Sequence, residues 1–162
     1  MGTETQPDYD VTSVSLGTMI TADSALAALE RRRVVVGDWA KEIVYQAPFR
    51  GVVERRRVAL VPAADLAGRG AMLLTYRAAV ATAMERGLRP LSVEAALALR
   101  LEYQQLESTV VVAMLEPTAG FGGTLLCLQP NGVGLPPRLE GRGMHSVPIP
   151  VDYLCAFDWP RV

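Results

Sequence analysis

Histidine is almost missing from this chain: His145 is the only one among 162 residues. Any Ser–His or Cys–His catalytic pair would have to use it. Its neighbour Ser146 points away from it in extended chain, and "GMHSVP" is not the Gly-x-Ser-x-Gly turn of a nucleophile elbow. Cysteine is scarce too, with only Cys127 and Cys155. Two thiols do not build a secreted disulfide framework. They also lack the C-x-x-C or H-x-x-x-H pairing that would make a zinc site with His145. The expectation is no metal, no cofactor and no catalytic residue. A small enzyme using His145, Cys155 or Asp152 is kept only as an alternative.

Lysine is reduced to Lys41, so fifteen of the sixteen basic side chains are arginine. With many Ala, Gly and Pro residues, that bias points to a GC-rich genome, a compositional reason for arginine. The longest dense apolar run, Val110–Leu115, is far shorter than the roughly 20 residues that cross a bilayer. The start, "MGTETQPDYD", has no apolar core of the signal-peptide kind, and Gln6 stands where myristoylation wants Ser or Thr. Cytoplasm is the expected location, with no membrane partner. The loop "GFGGT" (Gly120–Thr124) has no lysine and leads from strand to strand, so it reads as a hairpin loop and not a phosphate loop. Carboxylates such as Glu85, Glu94, Glu102, Glu107, Glu116, Asp152 and Asp158 are scattered, without a D-x-D or E-x-x-H pattern.

What the chain does have is hydrocarbon. Half its residues are hydrophobic, a fifth are charged, and the net charge is −1. A chain this long can bury about 70% of its unfolded surface, so it needs no staple. Helical spacing follows Thr21 or Asp23 through Leu26, Leu29 and Arg33, and a second short helix follows Asp38 through Trp39, Ile43 and Ala47. "VVERRRVALVP" reads as a strand. "PAADLAGRG" reads as a turn or one helical turn ending at Gly68. Thr75–Arg86 and a helix capped by Ser92 and running to about Gln104 share the tight connector Gly87–Leu91, which predicts an αα-hairpin. "STVVVAMLE", "TLLCLQ" and "VDYLCAF" read as strands, the first buried on both faces. Residues 133–146 hold two prolines and three glycines and predict an irregular excursion.

The expected fold is α+β: a mostly antiparallel sheet of four to five strands, with a helical hairpin and short N-terminal helices packed on it. Residues 1–17 are expected to be a flexible arm and 18–162 a single domain. The apolar strand and its neighbour "LLCL" carry more hydrocarbon than one helical layer hides. That predicts a homo-oligomer or an obligate protein partner.

The segment "ERRRV" occurs twice, at Glu30–Val34 and Glu54–Val58. On a helix, Arg31, Arg32 and Arg33 fan over about 200° and cannot share one phosphate backbone. On a strand, Arg55 and Arg57 take one face and Arg56 the other. Trp159 beside Pro160 and Arg161 suits a binding edge, since Trp and Arg dominate interface hot spots. The binding residues expected are therefore Arg31, Arg32, Arg33, Arg55, Arg57, Trp159 and Arg161. The leading reading is a non-enzymatic interaction or assembly component, such as an adaptor, structural or regulatory subunit of a bacterium or its phage. The alternative is a nucleic-acid-associated factor using the arginine clusters. The near-zero net charge and the few aromatics between the clusters (Trp39, Tyr45 and Phe49) argue against it.

Overall fold

A computed structural model describes residues 9–103, 109–116, 124–130, 136–143 and 148–160. Their order is β1 (Asp10–Leu16), α1 (Ala22–Arg31), β2 (Val35–Val36), α2 (Asp38–Gln46), β3 (Glu54–Pro62), α3 (Ala63–Ala67) and β4 (Leu73–Leu74). Then come α4 (Tyr76–Glu85), α5 (Val93–Glu102), β5 (Val111–Met114), β6 (Thr124–Gln129), β7 (Arg138–Gly143), β8 (Ile149–Pro150) and β9 (Leu154–Trp159). Local chemistry explains the helix starts. Thr21, Thr75 and Ser92 each accept a hydrogen bond from the backbone N–H three residues on, closing an orphan donor of α1, α4 and α5. Thr21, not Asp23, caps α1, and Asp38 lies inside α2, where its charge favours the positive helix end.

The sheet corrects the expected architecture. It has seven strands in the order β1-β3-β9-β5-β6-β7-β2, with a separate β4–β8 ribbon. It is mixed: β9–β5 and β7–β2 run parallel and the other four contacts antiparallel. Residues 10–16, expected within a flexible arm, form edge strand β1 along β3. Residues 138–143, expected to be irregular, form β7. Both segments are poor in large apolar residues, and their pairing partners lie far away in sequence.

The helical hairpin is also overturned. Tyr76, Ala79 and Ala83 of α4 pack into one core with Ala59, Val61, Val112, Met114, Cys155 and Phe157. Val93 and Ala95–Leu99 of α5 pack into the other core with Val58, Leu60, Val111, Ala113 and Ala156. The two helices thus lie on opposite faces of the sheet. Their connector passes through it, beyond the last β5–β9 pair, Ala113↔Ala156. There Arg89 bridges Asp158 and Leu91 bridges Leu115.

This arrangement removes the reason given for a second subunit. Val111–Leu115 is buried throughout by one chain, with α1, α2 and α5 over one face and α3, α4 and the ribbon over the other. Each such Val, Leu or Met contributes about 1.5–3 kcal/mol on burial. No helix among the described residues is long and apolar enough to cross a membrane. Helix α5 is buried nearly all round, and its two buried charges tie it to the sheet. Glu94 accepts from the Gly17 N–H at 2.8 Å, and Arg100 donates to the Gln129 carbonyl at 2.9 Å.

Candidate functional site

In open sheets that contain parallel strands, ligands usually sit beyond the strands' carboxyl ends, where the strands part. Here that crevice, between β5 and β9, is filled by Arg89–Leu91. The chemistry instead gathers on the flat end of β1, β3 and β9. Register places Arg57 opposite Trp159 on one side and opposite Ser13 on the other, with Arg55 opposite Ser15.

Strand alternation then sorts the second arginine triplet. Val58 and Leu60 belong to the α5 core, so Arg56 shares their face. There it lies 3.2 Å from Glu54 and 3.3 Å from Asp158, so its charge is balanced. Arg55 and Arg57 point to the opposite face, with Ala59 and Val61. Among the described residues neither has a carboxylate within 4.0 Å, and both are exposed. Helices α3 and α4 cover this face over Ala59, Val61, Cys155 and Phe157 but stop short of the arginines. The Arg57 guanidinium carbon lies 5.4 Å from the Trp159 ring centroid, and Tyr9 leans on that ring at 5.8 Å and 58°. Burial raises the Tyr9 phenol above its ordinary 10.0, opposed by nearby Arg86. The result is an open half-face bearing Ser13, Ser15, Arg55, Arg57, Trp159 and Tyr9, with unneutralised positive charge.

Asp158 lies on the covered side, with its side chain 16% exposed. Burial raises its carboxyl above the ordinary 3.8, outweighing Arg56 and Arg89, which pull it down. The folded state therefore holds this proton more tightly than the unfolded chain. The resulting stability is full below 3.8 and is lost as pH climbs through the raised value. Asp158→Asn should therefore gain on the wild type as pH goes from about 3 to about 7. Urea midpoints across that range check it. A gap widening toward the wild type with rising pH would mean that the Arg56 pair dominates.

The first triplet does not join this face. Arg31 closes α1, Arg32 is its C-cap, and Arg33 takes the left-handed position at φ 59°. The Val34 N–H donates back to the Leu29 carbonyl, and the Arg33 N–H to the Glu30 carbonyl, which is a Schellman ending. Three cations at a helix C-terminus complement its negative end. They lead into β2, five strand steps from β3, or about 24 Å at the usual inter-strand spacing. The two triplets are thus two separate surfaces. Arg161, His145 and Ser146 lie outside the described residues, as does "GFGG" before Thr124.

Cys127 and Cys155 both flank Val112 across the sheet, two strand spacings apart, which is beyond disulfide reach. Burial pushes the Cys155 thiol up to about 12, helped by Cys127. A thiol so rarely ionised is a poor nucleophile. Among the described residues no three His, Cys, Asp or Glu side chains gather to hold a metal. Sequence reading missed Tyr9, Arg56, Arg89 and Asp158 as parts of this end of the sheet. No local signal could have supplied them, because the contacts span most of the chain. Comparison with known protein families, with curated proteins and with solved structures finds no match.

Proposed function

We propose that this chain is a non-enzymatic binding protein that holds an acidic segment of a partner polypeptide on the open end of its sheet. The observation that carries the reading is the sorting of Arg55–Arg57. The arginine on the covered face is neutralised by Glu54 and Asp158, whereas the two on the open face keep their charge beside an aromatic pair. Arginine forks match carboxylates two-pronged, and Arg, Trp and Tyr supply most hot-spot energy at protein interfaces.

Nucleic acid fits this surface less well. Stacking needs a free ring face, and Trp159 already carries Arg57 and Tyr9. The other triplet, Arg31–Arg33, lies far off, and the net charge is −1.

The test is titration of poly-L-glutamate, and separately of a single-stranded oligonucleotide, at low and moderate salt. The wild type should bind poly-glutamate, more weakly as salt rises. Arg55→Glu with Arg57→Glu should weaken binding by about tenfold or more, through two lost and reversed contacts. Retained binding in that double variant, or tighter binding of the oligonucleotide, would reject the reading.

A further inference from the structure

The open half-face ends at a sheet edge, and that edge is only partly closed. Among the described residues β1 pairs with β3 alone, so its outer side carries a row of backbone donors and acceptors. Which groups point outward is set by alternation along an antiparallel ladder. The Ser15 N–H donates to both carboxylate oxygens of Glu102, at 3.2 and 2.9 Å, and so points away from β3. The Gly17 N–H does the same toward Glu94. Both lie at odd positions, so Val11 and Ser13 also point outward. Two carboxylates from α5 thus cover the end of the edge near Leu16, while Val11 and Ser13 are exposed and, among the described residues, nothing pairs with their outward N–H groups.

The open stretch borders the unneutralised arginines. Ser13 and Ser15 separate Arg57 and Arg55 from the edge; their small side chains leave the Arg55 stem room to lean across, while Arg57, which lies over Trp159 on the β9 side, must swing off that ring to reach the same place. On the other face of the same edge lies Tyr103, close enough to Asp10 for that carboxylate to raise its phenol, second to the effect of burial. A strand laid along β1 would therefore meet cations on one face and a ring with carboxylates on the other.

Resting on the proposed function, we infer that the partner docks by strand addition. An extended segment with acidic residues at alternate positions pairs with the backbone of Val11 and Ser13, and its acidic side chains reach Arg55 and Arg57. Main-chain hydrogen bonds supply the affinity and alternate side chains the specificity. Glu102 and Glu94 limit the register by occupying the donors further along.

The test uses the full chain and a labelled ten-residue peptide alternating glutamate and valine, followed by fluorescence anisotropy in low salt. Ser13→Pro removes the outward N–H without touching the β3 ladder, since edge strands tolerate proline there. It should weaken the peptide by about tenfold, as should N-methylation of alternate peptide residues. The N-methylated peptide carries the test if the proline variant fails to fold. Arg55→Glu with Arg57→Glu should also weaken it. If only the arginine pair matters, while Ser13→Pro and the N-methylated peptide bind as before, edge docking is wrong and the arginine platform stands. If the arginine pair does not matter either, both fall. If the chain dimerises and Ser13→Pro abolishes the dimer but not peptide binding, a second copy is the occupant and this inference is overturned. No binding of the peptide up to millimolar concentration overturns it as well.

Discussion

Gly141→Val is expected to cost about 3 kcal/mol, at the upper end of overpacking changes. Intrinsic preference points the other way, because valine favours strands and glycine weakens them. Gly141 is in β7, with none of the left-handed backbone that demands glycine. Packing decides the sign. A Cβ there would stand 2.8 Å from the Ala40 nitrogen, 2.9 Å from the Trp39 carbonyl carbon and 2.9 Å from Ile43 Cδ1. Two of those three are backbone atoms of α2, which cannot rotate aside, so α2 must lift from the sheet. Gly141→Ala should show the same direction with a smaller loss. Urea unfolding of both variants measures it, and a stabilised valine variant would mean that α2 does not sit where the structure puts it.

Leu91→Ala should lose about 2–5 kcal/mol, a large share of the 5–15 kcal/mol that holds a typical domain. Leu91 is fully buried within the connector that passes between β5 and β9. Its N–H donates to the Met114 carbonyl at 2.6 Å, and its carbonyl accepts from the Glu116 N–H at 3.0 Å. The backbone is thus pinned, and the side chain's space cannot close by a shift of the loop. Leu73→Ala is the control. Leu73 is 56% exposed, and its loss should stay within about 0.5 kcal/mol. If Leu91→Ala costs no more than the control, the connector does not thread the sheet. An αα-hairpin on one face would then be the better description.

Those two positions also show where sequence reading succeeds and stops. Capping by Thr75 and Ser92 was legible because the signal is local: a hydroxyl three residues from the N–H that it serves. The ten-residue helices that follow were legible for the same reason. The shared connector was legible as a short link, but not its path, because four or five residues span a hairpin turn and a passage through a sheet equally well. Alternation in "VDYLCAF" puts Val151, Tyr153, Cys155 and Phe157 on one side; the structure packs the last three into one core and leaves Val151 in the turn before β9. Strand β1 escaped notice although Val14 and Leu16 alternate with serines, because two apolar positions are too few to outweigh a polar terminus.

By itself, the sequence determined that the chain is long and apolar enough to bury a core, that helices begin after Thr75 and Ser92, and that Arg55 and Arg57 part from Arg56. Each of these follows from composition or from a repeat of 2.0 or 3.6 residues. Tertiary structure alone decided that β3 lies between β1 and β9, which face the helices leave open, and that Arg56 meets Asp158 across the sheet while Arg57 meets Trp159. Strand order joins residues about a hundred positions apart, and no periodicity carries information over that distance. The unbalanced charge that carries the functional proposal is a product of that order.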